Sequence, residues 1–156
     1  MKSKIAALAF ALALQITPAL GLAPVRAQNA PPTNGIDVVV SGFRNSNGQL
    51  GCRLFSSPEG YPRNNAAAMS TLWMPIQNNR ARCFFGGVPA GTYSVTIFHD
   101  ENSNKKFDYN WMHYPIEGYG FSNNAKAQFK APSWDETSFG YDGASVKTIP
   151  ITMIYR

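Results

Sequence analysis

Oxygen-bearing side chains recur at alternate positions of residues 99–108, directly after a strand-like run. Asp100, Asn102, Asn104 and Asp108 stand first, third, fifth and ninth in an Asp-x-Asn-x-Asn-x-x-x-Asp pattern. In calcium loops, side chains at such spacing present their oxygens to one cation, together with a main-chain carbonyl. The segment is therefore a candidate calcium-binding loop, and calcium is the candidate cofactor.

Two other interpretations of this loop remain open. Asp and Asn side chains also accept hydrogen bonds from their own main chain in tight turns, without any ion. His99 and His113, with a nearby carboxylate, have the chemistry of a zinc, copper or iron site. Their spacing matches no known ligand motif, so a structural role at a strand end is the simpler interpretation.

Apolar and polar residues alternate with period two in most of the chain after residue 35, which is typical of half-buried strands. Pro150 indicates an edge strand or a bulge near the C-terminus. Residues 64–72 could form one short helix. The predicted fold class is therefore an all-β sandwich. Strands are predicted over residues 36–43, 49–55, 72–76, 80–85, 92–99 and 146–155.

Residues 107–141 contain half of the chain's aromatic residues but are interrupted by five prolines and glycines. Connections of this length are uncommon unless they are functional or disordered, and this one is too aromatic for disorder. We expect a self-packed excursion that carries the function. The side chains that could stack on a sugar or peptide are Tyr109, Trp111, Tyr114, Tyr119 and Trp134. The alternative is that these rings pack on one another and on an open sheet face.

The start of the chain has the composition of a secretory signal peptide. Lys2 and Lys4 precede an apolar run over residues 5–14, and small residues end the segment at Ala27. The run is too short to span a bilayer as a helix, which takes ~20 residues. We therefore expect residues 1–27 to be removed from a periplasmic or secreted protein that has no transmembrane anchor.

Cleavage after residue 27 would leave residues 28–35 as a flexible lead-in and residues 36–156 as a single domain. The leader holds three of the 14 basic residues and none of the 9 acidic ones. The mature chain is then nearly neutral, so nucleic acid is not an expected partner.

Cys52 and Cys83 are the two cysteines of the chain, and both fall on apolar faces of predicted strands. Outside the cytoplasm such a pair is expected to be oxidised. We therefore predict a Cys52–Cys83 disulfide in preference to a metal pair or a reactive thiol.

Three segments carry a family resemblance: residues 86–93, the loop at residues 99–108 and the run Glu117-Gly118-Tyr119-Gly120-Phe121-Ser122-Asn123-Asn124. They resemble the bacterial domain-of-unknown-function family 2141, which implies an exported domain and adds Glu117 as a ligand of the calcium loop. Lys105 stands at the sixth loop position, where members usually carry glycine. The Pro-x-Gly-x-Tyr turn at residues 89–93 is also similar to transthyretin-like and immunoglobulin-like sandwich modules.

These observations favour a non-catalytic binding or accessory module whose partner is a small molecule, a glycan or an envelope protein. The competing class is a small carboxylate- or metal-dependent hydrolase of envelope glycan or peptide, with Asp100, Asp108 or Glu117 as acid and base. Serine or cysteine catalysis has little support, because the cysteines are expected to be oxidised and no Gly-x-Ser-x-Gly elbow occurs. A purely structural envelope protein is the third class.

Overall fold

The computed structural model describes residues 33–156, and the predicted signal peptide lies outside them. Within these residues no helix is long and apolar enough to cross a membrane. One short helix, α1 (Trp134–Thr137), and two single 3-10 turns, Asn65–Ala67 and Ser122–Asn124, accompany the strands. The strands are β1 (Gly35–Ser41), β2 (Gln49–Phe55), β3 (Ser70–Pro75), β4 (Ala81–Gly86), β5 (Gly91–Asp100), β6 (Tyr119–Phe121), β7 (Phe139–Tyr141) and β8 (Val146–Thr152).

The strands form two sheets that pack face to face. The first sheet has the order β4-β1-β8, with β1 antiparallel to β4 and parallel to β8. The second has the order β3-β2-β5-β6, and β7 pairs with the first residues of β5. The predicted all-β sandwich is therefore confirmed, while its likeness to immunoglobulin or transthyretin modules stays a prediction.

The core lies between the sheets and is built from the alternation seen in the sequence. One face of each central strand is apolar and fully buried, and Cys52 of β2 forms a disulfide with Cys83 of β4. The predicted disulfide thus joins the two sheets through the middle of the core. The inward side chains include Ile36, Val38 and Val40 of β1, Leu50 and Leu54 of β2, Val95 and Ile97 of β5, and Ile149 and Ile151 of β8.

Two predicted elements differ from the structure, and β6 and β7 lie inside the predicted excursion at residues 107–141, where no strand is predicted. The short helix is reduced to a 3-10 turn at Asn65–Ala67, because Ser70 already pairs with Leu54 in the β2–β3 ladder. The last strand ends at Thr152, and Ile154 then pairs with Tyr119 of the other sheet through bonds of 2.8 and 3.0 Å. Pro150 lies in the edge strand β8, where its missing N–H is tolerated.

The second sheet is buried on its outer face as well as its inner one. Arg53, Thr96 and Phe98 point away from the core, yet each is at most 8% exposed. The covering segment is residues 107–131, where the Phe107 ring lies 5.9 Å from that of Phe98. Gly51, opposite Phe98 in the β2–β5 ladder, is required here because a Cβ would collide with the Phe98 ring.

We expect the double variant Cys52→Ala/Cys83→Ala to be less stable than the oxidised protein by about 3–4 kcal/mol, because a closed loop of this length restricts the unfolded chain. Urea unfolding followed by circular dichroism measures this difference. Reduction of the wild type should reproduce most of it and leave the variant unchanged. Equal midpoints for the variant and the oxidised wild type would contradict the prediction.

Candidate functional site

The predicted calcium loop follows β5 and is organised around the fully buried carboxylate of Asp100. Its Oδ1 accepts a hydrogen bond from the Asn104 N–H at 3.0 Å, and its Oδ2 accepts one from the Lys105 N–H at 2.8 Å. Gln49 Nε2 donates to the same Oδ2 at 2.8 Å. Lys105 has a φ of 61°, so it adopts the left-handed conformation of the sixth loop position although it is not glycine.

Asn102, Asn104 and Asp108 meet on the open side of this loop. The Oδ1 atoms of Asn102 and Asn104 accept the N–H groups of Asn104 and Lys106, at 3.0 and 2.7 Å. Their Nδ2 groups both donate to Asp108 Oδ2 at 2.8 Å. These are the turns that Asp and Asn side chains form with their own main chain without an ion, which is one alternative to calcium binding. The amide nitrogens are directed at Asp108.

Glu117 joins the two ends of the loop. It is 5% exposed, and its Oε1 and Oε2 accept the N–H groups of Glu101 and Asp108 at 3.1 and 3.0 Å. Burial raises the pKa of Glu117, and the charges of Asp108 and Asp100 raise it further, against the effect of the two N–H donors. Asp100 and Asp108 therefore lie close enough to Glu117 to disfavour its charged form.

The two histidines lie in different environments. His99 is fully buried; its Nε2–H donates to Asn47 O at 2.8 Å, and the Tyr155 hydroxyl donates to Nδ1 at 2.7 Å. His113 is exposed at a turn. Within residues 33–156 no cluster of three or more His, Cys, Asp or Glu side chains is arranged to hold a metal ion. A calcium loop also uses amide and carbonyl oxygens, so the calcium prediction stays a prediction.

The exposed aromatic residues lie on a small hairpin next to the loop, here called the aromatic tip (residues 109–116). Tyr109 pairs with Pro115, and Asn110 Oδ1 holds the turn by accepting the N–H groups of Met112 and Tyr114 at 2.9 and 3.0 Å. Trp111 is 87% exposed, and Tyr109 and Tyr114 are about half exposed. The tip thus presents aromatic faces to solvent from a main chain that is held in place.

A groove of about 890 Å³ lies between the aromatic tip and residues 127–131, with the outer face of the second sheet as its floor. Tyr109, Tyr114 and Tyr119 all line it, so the structure brings three of the five predicted aromatic residues together. Trp111 lies on the tip beside it. Trp134 lies elsewhere, because α1 places its ring 5.6 Å from that of Tyr61 at a different cavity.

Two residues of the groove, Arg53 and Thr96, are not among the candidates that the sequence predicts, because period-two alternation places Arg53 on the polar face of its strand. Arg53 and Thr96 are directly opposite each other in the β2–β5 ladder and line the groove floor. The Arg53 guanidinium lies 4.5 Å from the Phe98 ring centroid, and burial lowers the pKa of Arg53. No sequence signal identifies these residues, because their burial depends on a cover that arrives from residues 107–131.

The run that carries the family resemblance ties elements together. The Ser122 hydroxyl donates to Thr137 O at 2.6 Å and accepts from the Val95 N–H at 3.0 Å. Asn124 Oδ1 accepts the Thr152 N–H at 2.8 Å, which fixes the end of β8. These side chains hold β5, β8 and α1 in register and leave the groove to other residues.

The fold and this arrangement define an all-β sandwich with a self-capped polar loop and an aromatic groove on one outer face. The family described as "Uncharacterized protein conserved in bacteria (DUF2141)" matches residues 38–149, which is more than half of the chain. The chain therefore belongs to that family, as the resemblance predicted. No curated protein and no solved structure matches it.

We expect the stability of the wild type to fall relative to Glu117→Gln as the pH rises. The fold raises the pKa of Glu117 above its ordinary value of 4.5, so its contribution is full below the unfolded-state pKa and is lost as the pH rises through the folded-state pKa. Urea unfolding of both proteins between about pH 4 and about pH 7 measures the difference.

Glu59→Gln is the matched control, because hydrogen bonds from Ser57 and from its own main chain lower the pKa of this exposed carboxyl. The stability of the wild type relative to Glu59→Gln should rise with pH, which is opposite to the trend expected relative to Glu117→Gln. A pH-independent difference between the wild type and Glu117→Gln would contradict the interpretation of Glu117 as a buried carboxyl.

Proposed function

We propose that the protein is a non-catalytic binding or accessory module of the bacterial cell envelope, exported to the periplasm or beyond. The observation that carries the proposal is the aromatic tip beside the groove. Solvent-exposed apolar groups gathered in one place on a folded domain generally mark an interaction site. Here Tyr109, Trp111, Met112, Tyr114 and Ile116 are all at least 50% exposed within eight residues of chain.

The chemistry of this surface suits a sugar ring, a small molecule or a short peptide. Aromatic faces stack on flat apolar surfaces, while the tyrosine hydroxyls supply polar contacts at the edge. The hairpin bonds made by Asn110 hold the tip in shape before a ligand arrives, which lowers the entropic cost of binding. Export is supported by the leader-like start of the sequence and by the disulfide, which is stable in oxidising compartments.

The environment of the carboxylates supports binding over hydrolysis. A general acid or base must reach the substrate with a free proton-accepting or proton-donating atom. Both oxygens of Glu117 and both oxygens of Asp100 accept main-chain N–H groups of the loop, and both residues are buried. These carboxylates are engaged in holding the loop, so the hydrolase remains the second proposal.

We expect Trp111→Ala to weaken binding of soluble glycan–peptide fragments, released from bacterial cell wall by a muramidase, at least about tenfold. Isothermal titration calorimetry with the purified, oxidised protein measures the affinity. The melting temperature should stay within a few degrees, because a residue that is 87% exposed contributes little to folding. Met69→Ala, which removes a 49% exposed side chain outside the groove, is the matched control. Unchanged binding by Trp111→Ala, or a collapse of its stability, would contradict the proposal.

We also propose that calcium stabilises the loop at residues 100–108. The support is the alternate spacing of oxygen-bearing side chains at residues 100–108, together with the proximity of Asp100 and Asp108 to Glu117, whose raised pKa a cation would oppose. Binding would require Asn102 and Asn104 to turn their amide oxygens toward Asp108, at the expense of two main-chain hydrogen bonds.

On this proposal calcium raises the melting temperature relative to chelator, by the equivalent of about 2.7 kcal/mol at 100 times the dissociation constant. Asp108→Asn should abolish the increase, whereas Asp142→Asn, at an exposed turn of similar chemistry, should retain it. Identical melting curves of the wild type in calcium and in chelator would rule the calcium site out.

A further inference from the structure

Arg53 differs from the buried carboxylates of residues 33–156 in having no partner. Asp37 is 2% exposed and is paired with Arg82 through bonds of 2.5 and 2.6 Å. Asp100 and Glu117 are buried and accept hydrogen bonds on every oxygen. Arg53 is 8% exposed, and within residues 33–156 its Nε has no hydrogen-bond partner and its guanidinium forms no salt bridge.

Thr96 repeats this pattern at the adjacent position. It is 7% exposed, and its Oγ1 is also buried without a hydrogen-bond partner among the described residues. Because Thr96 is directly opposite Arg53 in an antiparallel ladder, the two side chains leave the same face of the sheet as near neighbours. Both line the floor of the groove. Two unpartnered polar groups, Arg53 Nε and Thr96 Oγ1, are therefore buried close together beneath the floor of the groove.

Burying these polar groups without partners lowers the stability of the fold unless a bound ligand supplies the missing partners. A guanidinium stays charged at all accessible pH values, and burying it without a counter-charge is strongly unfavourable. Stacking on Phe98 offsets part of that cost but provides no hydrogen-bond acceptor. The missing complement is a negatively charged group that accepts hydrogen bonds.

The rim of the groove has the same sign of charge as its floor. Arg63, Lys106 and Lys130 line the groove and are exposed. Among the described residues, Asp108 is the one acidic residue that lines it. Asp108 Oδ2 already accepts two amide N–H groups and faces the loop. Cationic side chains around a concave site attract anions and raise their local concentration.

We propose that the groove binds a small molecule that carries an oxyanion, either a carboxylate or a phosphate, on a ring-shaped or apolar body. Arg53 and Thr96 hold the oxyanion at the floor, and Phe107, Tyr109 and Phe129 contact the body. The guanidinium offers its donors in a planar fork that matches two oxygens of such a group, and the threonine hydroxyl adds a third donor. This inference rests on the proposed function and specifies its ligand class.

The test uses three probes that share a phenyl ring and differ in charge: benzoate, phenyl phosphate and neutral benzyl alcohol. Each is titrated calorimetrically into the oxidised protein at low salt. We expect at least one anionic probe to bind, to bind better than benzyl alcohol, and to weaken as sodium chloride is added. Benzoate and phenyl phosphate together distinguish a carboxylate ligand from a phosphate ligand.

Arg53→Met should weaken the anionic probe by about 10- to 100-fold, because a charged hydrogen-bonded pair is lost. Arg80→Met, at an exposed turn outside the groove, is the matched control and should bind as the wild type does. Thr96→Val keeps the shape of the side chain and removes only the hydroxyl, so it should weaken the same probe without loss of folding.

Melting temperatures separate this role from a structural one. Without ligand, Arg53→Met and Thr96→Val should melt at or above the wild-type temperature, because each removes a buried polar group that has no partner. A large fall in both would assign Arg53 and Thr96 to folding and overturn the proposal.

The binding results test the oxyanion site separately from the proposed binding function. Equal affinity for benzyl alcohol and the anions, unchanged in Arg53→Met, would overturn the oxyanion site and leave the proposed binding function in place. No binding of any probe at concentrations up to about 20 mM, where even sites weaker than millimolar affinity are detected, would also overturn it. The cell-wall fragment titration with Trp111→Ala then decides the proposed function independently.

Discussion

The outer face of the five-stranded sheet is the constraint on which the rest of the structure depends. An antiparallel sheet can leave one face in water when that face is polar, but Phe98 and Tyr119 make this one apolar. Residues 107–131 cover it, and Phe107 packs edge-on against Tyr119 at 6.0 Å. The cover is incomplete above Arg53, and the groove is the space that remains. The same segment therefore completes the fold and creates the candidate site.

The polar loop determines where this cover begins. Asp100 ends the central strand β5, and its carboxylate turns the chain by accepting two N–H groups of the following residues. Glu117, at the return of the excursion, accepts N–H groups from both ends of the loop. Buried polar networks of this kind are stabilising only when every member has a partner. A cation would compete with these hydrogen bonds for the same oxygens. The better these side chains hold the loop without an ion, the more weakly they would bind a metal.

The run at residues 117–124 contributes both to the groove, through Tyr119 and Phe121, and to the ties between strands. Ser122 and Asn124 tie strands together through hydrogen bonds to the main chain, so a change at either would disturb the sandwich itself. Arg53 and Thr96 line the groove, and Arg53 Nε and Thr96 Oγ1 form no hydrogen bond within residues 33–156. A motif of structural ties identifies a shared fold without specifying a ligand.

The sequence by itself determined the all-β sandwich, the approximate positions of six of the eight strands and the disulfide, because alternation with period two is a local property and two cysteines allow only one pairing. Strands β6 and β7 lie in the aromatic segment, where no strand is predicted. It also predicted the loop at residues 100–108 and the aromatic segment as candidate functional regions. Only the tertiary structure decided that Trp134 lies apart from Tyr109 and that Arg53 is buried. Alternation places Arg53 on the polar face of its strand, and that face becomes a groove floor only because residues distant in the chain fold over it. Whether the second face of a strand is buried depends on long-range packing. The local pattern of a single strand does not predict that burial.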